Sequence, residues 1–262
     1  MSRISGVFAG AHRALIAYVT VGYPTVEATC EVVPLLAGAG CDIVELGIPF
    51  SDPLADGATI QKASFEALRN GVTAEVCLDV ASQIRRRTDI PLVFMSYVNP
   101  IFSYGLSRFV SACQAAGMDG LIIPDLPPEE GVELESLTAR QGMDLIYLLA
   151  PTSTAGRIAV VSQHSRGFIY LVSVAGVTGA RMALPTDLRD FVERVRMTAS
   201  QPLCVGFGIS TADQAREVSR YADGIIVGSR LVQIMEEEGW RDGVRRFIGG
   251  LRQALDSTAS ES

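Results

Sequence analysis

Eight short runs of almost continuous apolar residues punctuate the chain: ALIAYVTVG (14–22), DIVELGIPF (42–50), PLVFMSYV (91–98), GLIIPD (120–125), DLIYLLAP (144–151), FIYLVSVAG (168–176), PLCVGFGIS (202–210) and GIIVGSR (224–230). Strands covered on both faces read this way, because neither side needs a polar residue. Between them, segments such as VEATCEVVPLLAGAG (26–40), LSRFVSACQAAG (106–117) and DLRDFVERVRMTA (187–199) repeat apolar positions every three or four residues, the period of an amphipathic helix. Eight strand-then-helix units in 262 residues predict an α/β fold, a single-domain (β/α)8 TIM barrel rather than an open doubly wound sheet. The expected domain spans residues 1–262, with a short N-terminal helix and a flexible C-terminal tail from about 256. The units are too unlike one another to form a sequence repeat, and no Pro/Gly/Ser-rich linker divides them.

A barrel carries its chemistry at the C-terminal ends of the strands and in the loops that follow. There, VELGIPFSDPLADGATIQ (44–61) places Glu45 inside an apolar strand and Asp56 in the next loop, before a helix expected to begin near Ala58. A carboxylate buried without a partner costs several kcal/mol, so Glu45 reads either as a functional group or as half of a buried ion pair. With no Arg or Lys in the same strand, function leads. Asp56 has a competing reading as a helix N-cap or Asx-turn residue, and Asp52, before Pro53, reads as a turn former. The last three strands end in AGVTGAR (175–181), GFGIS (206–210) and VGSR (227–230). Glycines there allow close approach of backbone N–H groups to an anion, and the segments after GFGIS and VGSR look like helix starts, which together favour a phosphate over simple tight turns. Tyr97, Tyr170, Phe207 and Ile122, near the ends of four strands, either line a flat apolar pocket or fill the barrel core.

Composition narrows the chemistry. Twenty-nine acidic against 22 basic residues give a net charge of −7, which disfavours nucleic acid and anionic membranes as partners. The only basic run, Arg85, Arg86 and Arg87, falls near a predicted helix end, where cations suit the dipole. The five cysteines form no CxxC pair and sit among apolar neighbours, as small core residues in a reducing compartment do. No h-region and no run of 18 apolar residues is present, so a cytoplasmic location is expected. His12 and His164 lie away from predicted strand ends, which leaves no basis for a His triad or metal site. The single lysine, Lys62, is expected at a helix start, which disfavours a Schiff base. Carboxylate acid–base chemistry on a phosphorylated substrate remains, requiring no metal or organic cofactor in this chain.

The block ELGIPFSDPLADGATIQ, followed in order by NPI (99–101), IIPDLPPEE (122–130), LLAPTST (148–154), YLVSVAGVTGAR (170–181) and VGFGIS (205–210), resembles the tryptophan synthase α chains from about residue 10 to about 245. The resemblance implies a (β/α)8 lyase that cleaves indole-3-glycerol phosphate to indole and glyceraldehyde 3-phosphate. It assigns Glu45 as general acid/base and Asp56 as the second catalytic acid. Gly179, Gly208, Gly228 and Ser229 match phosphate-holding positions, Tyr170 an active-site tyrosine, and Thr178 the threonine of a mobile loop that orients Asp56. It also implies a partner β chain, bearing pyridoxal phosphate, in an α2β2 heterotetramer, with a contact surface that includes the loops around Asp52 and Pro53 and at Asn99 and Pro100. Val174 stands where some members of the family carry Arg. A stand-alone lyase, a regulatory subunit without catalysis, and a barrel isomerase on another phosphorylated indole precursor are the competing readings.

Overall fold

The computed structural model describes residues 2–10, 12–172, 184, 187–206 and 208–259. Thr178, Gly179, Val174 and Phe207 lie outside the described residues. Among the described residues, nine parallel strands form one sheet: β1 (Ala14–Thr20), β2 (Ile43–Gly47), β3 (Leu92–Met95), β4 (Gly120–Ile122), β5 (Asp144–Ile146), β6 (Leu148–Leu149), β7 (Ile169–Val172), β8 (Leu203–Gly206) and β9 (Gly224–Val227). The sheet runs β5-β4-β3-β2-β1-β9-β8-β7-β6. Its two ends, β5 and β6, are consecutive pieces of one chain segment interrupted at Tyr147, so the sheet closes on itself and the eight predicted strands make a barrel. The interruption has a local cause: the Tyr147 N–H donates to Ser165 Oγ at 3.1 Å, while its carbonyl accepts the Tyr170 N–H at 3.0 Å.

Alternation within each strand sorts side chains into two cores. Ala14, Ile16, Tyr18, Ile43, Val93, Met95, Ile122, Ile146, Tyr170, Cys204 and Ile226 pack together inside the barrel. Leu15, Ala17, Val19, Val44, Leu46, Leu92, Phe94 and their counterparts pack outward under the helices. All five cysteines are buried and unpaired, Cys204 on the inside. The N-terminal helix Arg3–Val7 closes the lower end, with Ile4 fully buried and Phe8 against Phe168 at a ring separation of 6.0 Å.

The helices match the 3.6-residue patterns closely: Val26–Gly38, Ala58–Arg69, Leu106–Ala115 and Leu188–Arg196. Two expectations are corrected. The stretch at Asn99 and Pro100 is not a loop but the first turn of the helix Val98–Tyr104, where proline's missing N–H costs nothing and Asp125 accepts the Val98 N–H at 3.0 Å. The last helix, Trp240–Ala259, continues past the expected onset of a tail at 256. Arg85 is more than a dipole complement. It ends the helix Ala74–Arg85 but ion-pairs Asp119 at 2.7 Å and donates to the carbonyls of Gly117 and Ile90. No helix among the described residues is long and apolar enough to cross a membrane.

Candidate active site

Glu45 has the inward parity of Ile43 and lies two residues before the end of β2, so the strand delivers its carboxyl to the upper barrel interior. It is wholly buried, and neither carboxyl oxygen has a hydrogen-bond partner among the described residues. The ion-pair reading therefore has no support there. Burial alone raises its pKa to about 8, so the group is largely protonated at neutral pH.

Asp56 is 7% exposed and is held by its loop rather than by a strand. Its N–H donates to the Pro53 carbonyl at 3.0 Å, and its carbonyl accepts from Gln61 Nε2 at 2.9 Å. The capping position of the helix Ala58–Arg69 is Gly57, with no side-chain cap, so the Asp56 carboxyl does not serve the helix start. Instead it accepts the Tyr97 hydroxyl, whose oxygen in turn accepts the Ala55 N–H at 3.0 Å. Burial raises Asp56 to about 6 against the lowering effect of that tyrosine. One carboxyl is thus mainly neutral and the other mainly ionised at pH 7, the division that acid–base catalysis requires. Both face the same space: each raises the pKa of Tyr170 and of Tyr18, adding to the burial of these phenols.

Tyr18 was not anticipated. Its ring lies across β2 and β9, where a Cβ on Gly47 would fall 2.1 Å from its hydroxyl oxygen and one on Gly228 3.2 Å from its Cβ. Gly206 admits Tyr170 in the same way, a Cβ there falling 2.4 Å from the hydroxyl oxygen. Two of the glycine motifs at the strand ends therefore make room for tyrosine rings. The available signal was parity, since Tyr18 shares the inward register of Ile16 and pairs with Glu45 across β1 and β2. Thr20, 1% exposed and 3.3 Å from the Tyr18 hydroxyl, completes this wall.

Of the pocket candidates, Tyr170 and Ile122 lie in the barrel interior cluster. Tyr97 does not; it precedes the helix Val98–Tyr104, stacks on Phe50 with ring centres 5.1 Å apart, and serves Asp56. A cavity of about 420 Å3 opens beside Ala55, the chain neighbour of Asp56, and is lined also by Asp125, Tyr147, Leu148 and Val172. Gly208 has a φ of +85°, which only glycine adopts without strain. The two helix starts after it differ. After β8, Thr211 and Gln214 form a capping box, and the N–H groups of Ser210 and Thr211 are taken by Gln214 Oε1. After β9, the helix Ser229–Met235 begins at Gly228 with no side-chain cap. Asp52 is exposed, its carboxylate accepting the Ser51 hydroxyl, as a turn residue would be. His12 pairs with Asp42, and His164 with Glu135, both away from this site.

The model of the tryptophan synthase alpha chain family matches residues 6–253. The chain belongs to that family. A tryptophan synthase alpha chain of Dehalococcoides mccartyi is 57% identical over 98% of this chain and 100% of its own length. One from Geobacter sulfurreducens is 47% identical over 97% and 99%. Among solved structures, Mycobacterium tuberculosis tryptophan synthase superposes with a TM-score of 0.90 at 38% identity, over 97% of this chain and 98% of that one. Tryptophan synthase subunit alpha from Legionella pneumophila gives 0.89 at 34% identity, over 98% and 99%. The family's barrel and this closed parallel sheet are the same fold.

Proposed function

We propose that this chain is the lyase subunit of tryptophan synthase, cleaving indole-3-glycerol phosphate to indole and glyceraldehyde 3-phosphate. The observation that carries the reading is Glu45: a fully buried carboxyl at a strand end, without a hydrogen-bond partner among the described residues, in a family whose members are tryptophan synthase alpha chains. Such a group is retained at a cost of several kcal/mol and therefore has a use.

The chemistry follows from the two protonation states. Cleavage of the bond between indole C3 and the glycerol chain needs a proton delivered to C3, which creates a cationic indolenine. Glu45, neutral because of its burial, supplies that proton as general acid. Its carboxylate then removes the proton of the glycerol hydroxyl next to C3, as the carbon–carbon bond breaks and that hydroxyl becomes the aldehyde. Asp56, mainly ionised, accepts the hydrogen bond of the indole N–H and stabilises the positive charge that develops on the ring. Tyr18, Tyr170 and Ile122 wall the space for the flat ring, with Tyr97 setting Asp56. Gly208, Gly228 and Ser229, with Gly179 beyond the described residues, are assigned to the phosphate end, Phe207 to the apolar pocket and Thr178 to the covering loop. The uncapped start at Gly228 and the positive φ at Gly208 support this assignment.

The chain works in this reading as one domain spanning residues 1–262, in the cytoplasm, and pairs with a β chain in an α2β2 heterotetramer. Pyridoxal phosphate belongs to that partner, and this chain carries neither cofactor nor metal. The exposed Leu54 next to Asp52 and Pro53, and the exposed Phe102 on the helix bearing Asn99 and Pro100, suit such a contact. The test is indole release from indole-3-glycerol phosphate, with and without the β chain, by the unaltered chain and by Asp56→Asn. A fall of roughly 100-fold in kcat is expected for the variant; no indole from the unaltered chain in either setting overturns the reading. Equal turnover with and without the β chain would make it a stand-alone lyase.

A further inference from the structure

The chain's single lysine is spent on one contact: Lys62 Nζ lies 3.1 Å from both carboxyl oxygens of Glu236. Glu236 also accepts the hydroxyl of Tyr23, at 2.5 Å, and Tyr23 is 3% exposed at the turn after β1. Three pieces of chain therefore meet at one carboxylate. Lys62 sits in the helix Ala58–Arg69, one residue after Gln61, whose side chain holds the Asp56 carbonyl. Glu236 directly ends the helix Ser229–Met235, which starts at Gly228. The two helices are packed as well as paired: Ile60 and Ala63 of the first and Val232 of the second join Tyr18 and Tyr23 in the barrel interior cluster. Gln233 Nε2 and Thr59 Oγ1 approach to 3.5 Å along the same seam.

From this geometry we infer that Glu236 is a positioning residue, which through Lys62 and Tyr23 fixes the helix after Asp56 against the helix after β9. The inference rests on the proposed lyase reading. Lys62 and Glu236 are partly exposed, with side-chain accessibilities of 53% and 36%, so their pairing adds little to folding stability. Its effect is to set where the helix start stands, and with it the Gln61 tether on Asp56. The proton equilibria agree: burial first, and then the bond to Glu236, lift Tyr23 well above the usual phenol range, while Tyr23 and Lys62 hold the carboxyl of Glu236 below the usual carboxylate range. The link from Glu236 to Asp56 runs through Lys62 and Gln61 of the helix between them.

Steady-state kinetics of indole release by the complex with the β chain test it, with Glu236→Gln, Lys62→Met and Lys62→Arg compared with the unaltered chain and with Glu45→Gln. Displacement of a catalytic group by a fraction of an ångström predicts a fall of roughly 5-fold in kcat for Glu236→Gln and Lys62→Met, with KM within about 2-fold. Lys62→Arg, which keeps the ion pair, restores kcat, and the thermal midpoints of all three stay within about 2 °C of the unaltered chain. A kcat unchanged in Glu236→Gln and Lys62→Met overturns the inference, as does a loss that Lys62→Arg fails to restore. Activity retained by Glu45→Gln, or absent from the unaltered complex, defeats instead the reading beneath it.

Discussion

At the scale of single residues, the site is a pair of carboxyls separated by environment. Glu45 is raised by burial alone and Asp56 less so, because a tyrosine hydroxyl compensates part of its burial. Glu45 has a stability consequence whose sign is fixed. Its folded pKa, about 8, lies above the ordinary 4.5, so the unfolded chain gives up this proton first as pH rises. The stability that the neutral form allows is complete below about pH 4.5 and is lost progressively up to about 8. Glu45→Gln keeps a neutral, near-isosteric side chain and removes that loss. Its thermal midpoint should therefore match the unaltered chain near pH 4.5 and exceed it by several degrees at pH 8.5, measured by calorimetry across that range. Of the residues involved, Glu45 was legible in the sequence because a carboxylate in an apolar strand is too costly to keep unless it is paired or used. Asp56 was legible only through the resemblance, since an Asp-Gly before a helix has a common capping use that the structure here gives to Gly57. Tyr18 was missed because an inward tyrosine in an apolar run looks like core, which it also is.

At the scale of elements, the rims of the barrel differ in what holds them. On the N-terminal side, Asp42, Asp119 and Asp223 each stand one residue before a strand and accept the N–H of Leu15, Leu92 and Leu203 on the neighbouring strand, at 2.7, 2.9 and 2.8 Å. Each also meets an arginine: Arg252 at 3.1 Å, Arg85 at 2.7 Å and Arg196 at 2.5 Å. The device recurs three times although the surrounding units share no repeat, so it shows only after strand pairing is known. Asp119→Ala leaves the half-buried Arg85 without its carboxylate and Leu92 without an acceptor, and should cost about 2 kcal/mol. Urea unfolding would register this as a lower midpoint, with the kcat of the surviving folded enzyme close to normal. On the C-terminal side glycines play the corresponding part. Gly47→Ala would place a methyl group 2.1 Å from the Tyr18 hydroxyl oxygen and push the ring into the substrate space. A KM raised by about 10-fold is expected, and a normal KM would remove Tyr18 from the pocket wall. Strand and helix positions were readable from periodicity, but strand ends were not: buried apolar residues such as Ile48 and Ile209 continue past the ends of β2 and β8.

At the scale of the whole molecule, closure of the sheet through Tyr147 brings Glu45 on β2 and Tyr170 on β7 within electrostatic reach inside the barrel, although they are far apart in the chain. The barrel fold was legible from the count of strand-then-helix units, and its mouth from the ends of those strands. What the sequence could not supply was the division of labour among similar-looking residues, which is set by contacts between distant loops. The proposed mechanism expresses that division in its pH dependence: it needs Asp56 ionised and Glu45 protonated, so kcat/KM should be bell-shaped, rising through about pH 6 and falling through about pH 8. The central claim, that Glu45 is buried so as to be the proton donor, is tested most directly by turnover of Glu45→Gln on indole-3-glycerol phosphate in the β-chain complex, with substrate binding measured alongside. The expected result is a fall in kcat of at least roughly 1,000-fold with binding largely intact; release of indole at a near-normal rate would contradict it.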